Sequence, residues 1–368
     1  MQLRLNTFTL DDLKQKRCFI GFDAFIDHIT KPIVEKDDKT NQHFKSLEEY
    51  AHYLLDHKES SFSLEMEIPE TKIGGNNPII SDILSGFGVQ VITAGAYGKP
   101  DIDPLFVPLS KKTRLISFSN PGKCTSFEFT YNKLMSYYNM DPKDFTYDNL
   151  INYLPEDELV DIMDNTDIII FVNVCEQLAV MNILEAIADR VLPKSTGTRR
   201  FFIDLSNCGQ LSYNELQRVV EFLKKLGNFG KVILSTNENE FQTLFNFYGK
   251  NTYNKSNLKD AVRFVRKELG IDTLILRTLE WFYCNSPGIE QQAENIIVEN
   301  PRYLTGVGDA QNSGICLGLL LSLPVNEVLY AGVRAGNCYL QNGEVSSQYF
   351  ENLFQTNLSY KENNDEAP

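Results

Sequence analysis

The chain has 368 residues, of which 42% are hydrophobic and 23% charged, so it can bury a large core as one α/β domain or as two smaller ones. A formal net charge of −14 disfavours a surface for nucleic acid or for an anionic membrane, although a local basic pocket for phosphates is compatible with it. We find no apolar run of the roughly 18 residues that a membrane span needs and no apolar signal-peptide core in residues 1–16.

Seven cysteines are scattered along the chain, and none forms a Cys-x-x-Cys pair. An odd, scattered set of cysteines is typical of reduced thiols, so we expect a cytoplasmic protein.

The N-terminal third predicts a mixture of strands and helices. A strand begins near Cys18, and the two-residue alternation of apolar side chains over 61–73 predicts a strand with one exposed face. The pattern predicts helices over 46–56 and 78–87 and further strands over 89–94, 114–118 and 125–129. We interpret the strands within 113–130 as part of an antiparallel flap beside the main sheet.

From residue 155 the pattern becomes a regular alternation of apolar strands and amphipathic helices. Continuously apolar strands that alternate with helices predict a mostly parallel sheet covered on both faces. In such sheets ligands bind at the carboxyl ends of the strands. The predicted strands cover 167–172, 200–204, 231–235 and 273–276, and the predicted helices cover 177–192, 212–225, 238–248, 257–269 and 310–323.

Residues 305–314 read Thr-Gly-Val-Gly-Asp-Ala-Gln-Asn-Ser-Gly, a small-residue loop that opens a buried apolar helix. A helix start offers unpaired N–H groups and the positive end of the helix dipole. Gly306 and Gly308 carry no side chain that would keep an anion away. Asp309 is therefore an acid beside a predicted anion site, where a carboxylate can take a proton from a hydroxyl that attacks a phosphoryl group. The alternative is an ordinary turn with Asp309 as helix N-cap.

Three other polar segments follow predicted strands or open helices. Asp27 lies at the end of the first apolar run, where it binds a ligand or caps a turn. Gly74-Gly75-Asn76-Asn77 either binds a ligand or is only a helix entry. Asn237 and Glu240 either serve a site or form a capping box. Asp23 is a weaker candidate for which the sequence indicates no partner.

Together these segments resemble the ribokinase-like (phosphofructokinase-B-type) family of carbohydrate and nucleoside kinases, over about residues 17–345. The resemblance implies Asp309 as catalytic base and Gly306, Val307 and Gly308 as the anion hole. It implies that Asn237 and Glu240 order Mg²⁺ through water, as suits an ion that keeps most of its waters. It places Asp27, Gly74, Gly75 and Asn76 on the sugar and Asn237, Thr278 and Asn312 on the nucleotide.

Some positions depart from the family pattern. Tyr303, Leu304 and Thr305 replace the usual Asp-Thr-Thr/Ser, which puts a monovalent-cation site in doubt, and Ile79 replaces an asparagine. Residues 277–281 replace a Thr-x-Gly nucleotide loop.

Residues 124–129, the helix before Gly74 and residues 277–278 resemble the ADP-dependent sugar kinases of the same fold. The Asp309 motif and the Asn237–Glu240 pair resemble the ATP-dependent branch, so ATP is favoured over ADP as donor.

The sequence therefore predicts a three-layer α/β domain over 1–360, with a small β lid from strands around 29–34, 61–73 and 113–130, and a frayed polar tail over 361–368. The predicted activity is Mg²⁺-dependent phosphoryl transfer from a nucleotide to a hydroxyl of a sugar-like molecule.

The alternative is a weakly active or inactive sensor of sugar or nucleotide on the same fold. An oxidoreductase is disfavoured because no Gly-x-Gly-x-x-Gly follows the first strand. A homodimer through lid edge strands is compatible with the pattern.

Overall fold

The computed structural model of the protein describes residues 10–36, 40–130, 132–250, 253, 256–299 and 301–346. The strands, in chain order, are β1 Arg17–Phe22, β2 Phe25–Thr30, β3 Ile33–Lys36, β4 Asn41–His43, β5 Glu70–Gly74, β6 Gln90–Gly95, β7 Arg114–Ser117, β8 Gly122–Glu128, β9 Lys133–Tyr138, β10 Ile168–Phe171, β11 Arg199–Asp204, β12 Gly230–Asn237, β13 Thr273–Arg277, β14 Trp281–Ser286 and β15 Ile289–Glu294.

The helices are α1 Leu10–Leu13, α2 Leu47–Asp56, α3 Asn76–Gly86, α4 Val107–Ser110, α5 Tyr147–Tyr153, α6 Glu156–Asp164, α7 Leu178–Arg190, α8 Tyr213–Leu226, α9 Glu238–Phe247, α10 Leu258–Leu269, α11 Val307–Leu320 and α12 Val325–Asn342.

Nine of the described strands form one sheet in the order β15-β14-β13-β12-β11-β10-β1-β6-β7. The strands from β7 to β13 in this order pair in parallel, and β14 and β15 add an antiparallel hairpin at one edge. The predicted mostly parallel sheet is confirmed.

Helices cover both faces of this sheet because its central strands are apolar on both sides. In β10, Ile168 and Ile170 pack into a core with α3, α11 and α12. Ile169 and Phe171, which point the other way, pack into a second core with α7, α8 and α10. The two cores give the three-layer arrangement that the sequence predicts.

A separate four-stranded sheet, the lid, has the order β5-β2-β8-β9. The chain leaves the main sheet at Phe22 and enters the lid at Phe25, so the apolar run that begins at Cys18 supplies one strand to each sheet. A small lid sheet is therefore confirmed.

The predicted lid segments need correction. The strand at Arg114–Ser117 pairs with β6 in the main sheet, not with the lid. Of residues 61–73 only Glu70 onward is a strand, apart from one bridge between Pro32 and Met66. The lid edge strand β9, the β14–β15 hairpin and the helices α5, α6 and α12 have no counterpart in the prediction.

The seven cysteines are buried and unpaired, as expected of reduced thiols. Among the described helices, none combines the length and the apolar character that crossing a bilayer requires. The predicted polar tail at 361–368 lies outside the described residues.

Candidate active site

A cleft of about 450 Å³ opens at the carboxyl ends of the central strands, and the lid forms one of its walls. It brings together most of the residues that the sequence singles out, although they lie far apart in the chain. The predicted site residues that line it are Asp27, Gly75, Asn76, Asn237, Glu240, Gly306, Val307, Gly308 and Asp309.

The motif before α11 forms the floor of one end of the cleft. Gly306 is the N-cap and has φ +95°, a conformation that favours glycine. A Cβ atom there would also lie 2.6 Å from the Tyr339 hydroxyl. The first helical bond runs from Ala310 N to Gly306 O, at 3.0 Å. The N–H groups of residues 307–309 precede this bond and so have no intrahelical partner, which is the arrangement that binds anions.

Asp309 lies in the first turn of α11 and is half-buried. Burial raises the pKa of its carboxyl well above the usual value, and the carboxylates of Asp204 and Asp23 raise it further. Lys133 and Arg277 act in the opposite direction. A carboxylate with raised proton affinity beside free helix N–H groups is suited to accept a proton from an attacking hydroxyl.

Asp27 lies on lid strand β2 at the other end of the cleft and is 3% exposed. Burial raises its pKa to about 6, while the ammonium groups of Lys133 and Lys72 lower it. Gly74 lies directly behind it: a Cβ atom at Gly74 would be 2.1 Å from the Asp27 carboxylate. Gly74 therefore makes room for Asp27 and does not itself line the cleft.

Asn76 begins α3 and points its amide into the cleft. Its Nδ2 donates to Asp204 Oδ1 at 3.2 Å and to Ser206 Oγ at 3.1 Å. Asp23 now has a partner: its carboxylate accepts the N–H groups of Asn76 and Asn77 at 2.8 and 3.0 Å. Because Gly75 gives no side-chain cap, Asp23, which lies in the link between β1 and β2, caps α3 and holds Asn76 in place.

Asn237 and Glu240 form the capping box of α9 and also line the cleft. Asn237 Oδ1 accepts from Glu240 N at 2.9 Å, and Glu240 Oε2 accepts from Asn237 N at 3.0 Å. Burial raises the pKa of Glu240 well above its usual range, and nearby Asp204 adds to the effect. The capping role and a cleft position therefore occur together.

Two residues that the resemblance places on the nucleotide do not line the cleft. Thr278 Oγ1 donates to Trp281 O at 2.8 Å and closes the turn between β13 and β14. Asn312 is fully buried, donates to Asp204 Oδ2 at 2.7 Å and accepts from Ser235 Oγ at 2.8 Å. The contacts of both side chains are structural.

Other cleft residues were not predicted. Asp204 ends β11 and Arg277 ends β13, and they form a buried ion pair at 3.1 Å with side chains 4% and 6% exposed. Lys133 comes from the unpredicted strand β9, and Glu176 follows β10. For Asp204 and Arg277 the available signal was position, because a charged residue that ends an apolar strand of a parallel sheet lies at the ligand edge.

Comparison with known proteins identifies the relatives of this chain. The model of the prokaryotic ketohexokinase family matches residues 9–354. A search of curated protein sequences finds no significant match.

Several solved structures share the fold. A probable sugar kinase from Rhizobium etli has 14% identity and a TM-score of 0.63, with 93% of this chain and 98% of that chain covered. Adenosine kinase from Sinorhizobium meliloti has 13% identity and a TM-score of 0.61, with 93% and 99% covered. Ribokinase from Thermotoga maritima has 14% identity and a TM-score of 0.58, with 92% and 99% covered. At such identity these likenesses establish the ribokinase-like fold alone.

Proposed function

The chain belongs to the prokaryotic ketohexokinase family and is a carbohydrate kinase, and we propose that it transfers the terminal phosphoryl group of a nucleotide, with ATP favoured over ADP, to a hydroxyl of a sugar-like molecule. The observation that carries this proposal is the position of Asp309 at the start of α11, in a cleft that also holds Asp27. A proton acceptor, an anion site and a polar acceptor end thus share one cleft.

In the proposed reaction the acceptor hydroxyl gives its proton to the Asp309 carboxylate. The hydroxyl oxygen forms a bond to the terminal phosphorus, and the bond from that phosphorus to the bridging oxygen breaks. The nucleotide leaves with one phosphate fewer. The N–H groups at residues 307–309 stabilise the charge on the phosphoryl oxygens, since they need no reorganisation during the reaction.

The residues present fit a magnesium ion held mainly through water and substrate. Among the described residues, no group of three or more His, Cys, Asp or Glu side chains could hold a metal ion. Mg²⁺ keeps several waters and commonly takes one or two protein carboxylates plus phosphate oxygens. Glu240, whose proton affinity is raised by burial and by Asp204, would hold it together with Asn237. When bound, the ion neutralises charge on the phosphates.

The acceptor is proposed to bind between the lid and α3. Asp27 accepts hydrogen bonds from its hydroxyls, and the side chain of Asn76, already oriented by Asp204 and Ser206, lies next to them. Lid residues Cys124 and Tyr137 complete this end of the cleft. With the acceptor bound, the lid excludes water that would otherwise hydrolyse the nucleotide.

A phosphorylation screen tests the proposal. Sugars and nucleosides are each incubated with ATP or with ADP in the presence of Mg²⁺, and phosphorylated product is measured directly. The matched control is Asp309→Asn, which keeps the shape of the side chain but not its basicity. We expect a sugar-like acceptor to be phosphorylated by the wild type alone; absence of any product, or equal product from the variant, contradicts the proposal.

A further inference from the structure

Arg277 lies at the phosphate end of the cleft, in the segment that departs from the family pattern. It is the last residue of β13, is 7% exposed and lines the cleft. Its Nη1 lies 3.2 Å from the carbonyl oxygen of Gly308. The guanidinium is therefore directly beside the proposed anion hole.

The hydrogen-bonding capacity of this guanidinium is not fully used. A guanidinium carries five N–H donors. Nη1 donates to Gly308 O and to Gln311 Oε1 at 3.2 and 3.0 Å, and Nη2 donates to Asp204 Oδ2 at 3.1 Å. One Nη2 hydrogen and the Nε hydrogen are left, and Nε is buried without a partner among the described residues. A buried donor without a partner is costly and suits a site that a ligand completes.

The charge of the cleft supports the same interpretation. Five carboxylates line it, from Asp27, Glu176, Asp204, Glu240 and Asp309, against two cationic side chains among the described residues, Lys133 and Arg277. Lys133 belongs to the lid and lowers the pKa of Asp27. Arg277 is the cation that contacts the anion-hole backbone, so it is placed to offset the charge of a polyphosphate.

We propose that Arg277 is a further catalytic residue, whose free Nε and Nη2 hydrogens donate to the phosphoryl group during its transfer. This inference rests on the proposed kinase function of the same cleft. Asp204 and Gln311 accept hydrogen bonds from Nη2 and Nη1 and so fix the guanidinium, while its Nε hydrogen has no acceptor among the described residues. Charge that develops on the phosphoryl oxygens meets a donor already fixed in position.

The test compares Arg277→Ala and Arg277→Lys with Arg199→Ala. Arg199 is a matched control because it is also buried, 4% exposed, and is paired with Asp164 at 3.2 Å, but it does not line the cleft. We expect Arg277→Ala to lower kcat about 100-fold or more, by the usual effect of removing one preorganised donor. Acceptor affinity, measured by calorimetry, should stay unchanged, and added guanidinium should restore part of kcat where equal urea does not. Arg277→Lys keeps the positive charge but not the planar guanidinium with its paired N–H donors, so its kcat should also fall.

Three results would overturn the inference: a wild-type kcat in Arg277→Ala, a loss that guanidinium does not rescue, or an equal loss in Arg199→Ala. If Arg277→Ala does not fold, a wild-type kcat in Arg277→Lys refutes the catalytic role of the guanidinium N–H donors. Failure of the proposed function has a different signature, because the wild type then phosphorylates no acceptor. In that case the affinities of Arg277→Ala and of the wild type for MgATP are measured by calorimetry. Equal affinities overturn the inference.

Discussion

Glu128 fixes the loop that precedes the proposed anion hole, and its replacement should separate chemistry from substrate binding. Glu128 is the last residue of lid strand β8 and is 4% exposed. Its Oε1 accepts from Leu304 N at 3.2 Å and from Thr305 N at 3.0 Å. Ser126, on the same strand, shares a 2.8 Å hydrogen bond with the Thr305 hydroxyl. Because Gly306 directly follows Thr305, lid strand β8 positions the loop that leads into the proposed anion hole.

Glu128→Ala removes both hydrogen bonds and leaves the buried N–H of Thr305 and the half-buried N–H of Leu304 without this acceptor. A hydrogen bond to a charged group contributes about 1.5–3 kcal/mol, so the full loss is about 3–6 kcal/mol. Relaxation of the loop and entry of water reduce this, and we expect the free energy of unfolding to fall by about 2–4 kcal/mol. Glu128→Gln should be much milder, since a single amide oxygen can accept both N–H groups.

Urea unfolding gives the stability, and steady-state kinetics at saturating substrates give kcat. We expect Glu128→Ala to lower kcat about 10- to 100-fold because misplaced anion-hole donors weaken transition-state stabilisation. The KM for the acceptor should change less. Ser126→Ala is the control, and losing one neutral hydrogen bond there should cost about 1 kcal/mol. Wild-type stability and kcat in Glu128→Ala, or an equal loss in Glu128→Gln, would refute the reasoning.

Three further substitutions test the two ends of the cleft. Asp309→Asn should lower kcat about 10²–10⁴-fold with an unchanged circular dichroism spectrum, and near-wild-type turnover would remove Asp309 as the base. Gly308→Val should abolish turnover while sparing acceptor affinity in calorimetry, because a Cβ atom there already approaches Arg277 Nη1 to 3.2 Å; unchanged turnover would contradict this. Asp27→Ala should weaken acceptor binding about tenfold or more and spare nucleotide affinity. In the wild type, acceptor affinity should fall as the pH drops through the Asp27 pKa of about 6, because the protonated carboxyl accepts fewer hydrogen bonds. Acceptor affinity that does not vary with pH would remove Asp27 from the acceptor site.

The parallel sheet was predictable because its strands are buried on both faces and read as continuous apolar runs between helices. β10 reads Ile-Ile-Ile-Phe, and all four of its side chains are buried. The start of α11 was predictable for a similar reason, since glycines followed by an acid and a long apolar stretch occur where a tight turn opens a buried helix.

The lid was harder to predict because period-two alternation does not report which strand pairs with which. Residues 61–69 alternate but are not a strand apart from one bridge at Met66, whereas β9 shows little burial and yet pairs along its length with β8. The ion pair of Asp204 and Arg277 joins the ends of two strands that lie 73 residues apart in sequence. No local pattern carries a contact of that range, although each residue alone occupies a strand end that faces the ligand edge.

Asp204 links the two ends of the cleft. Its Oδ1 accepts from Asn76 at the start of α3, and its Oδ2 accepts from Arg277, which contacts Gly308 at the start of α11. Asn312, which lies on α11, also donates to Oδ2, so the same carboxylate is hydrogen-bonded directly to α11. The proposed acceptor side and the proposed phosphate side are therefore positioned against one buried group, which is fully hydrogen-bonded and so costly to displace. Phosphoryl transfer needs the attacking oxygen and the phosphorus in a fixed mutual position. In the proposed reaction the Asp204 carboxylate supplies that constraint, even though residues 277–281, from the end of β13 onward, differ from the nucleotide loop of the family pattern.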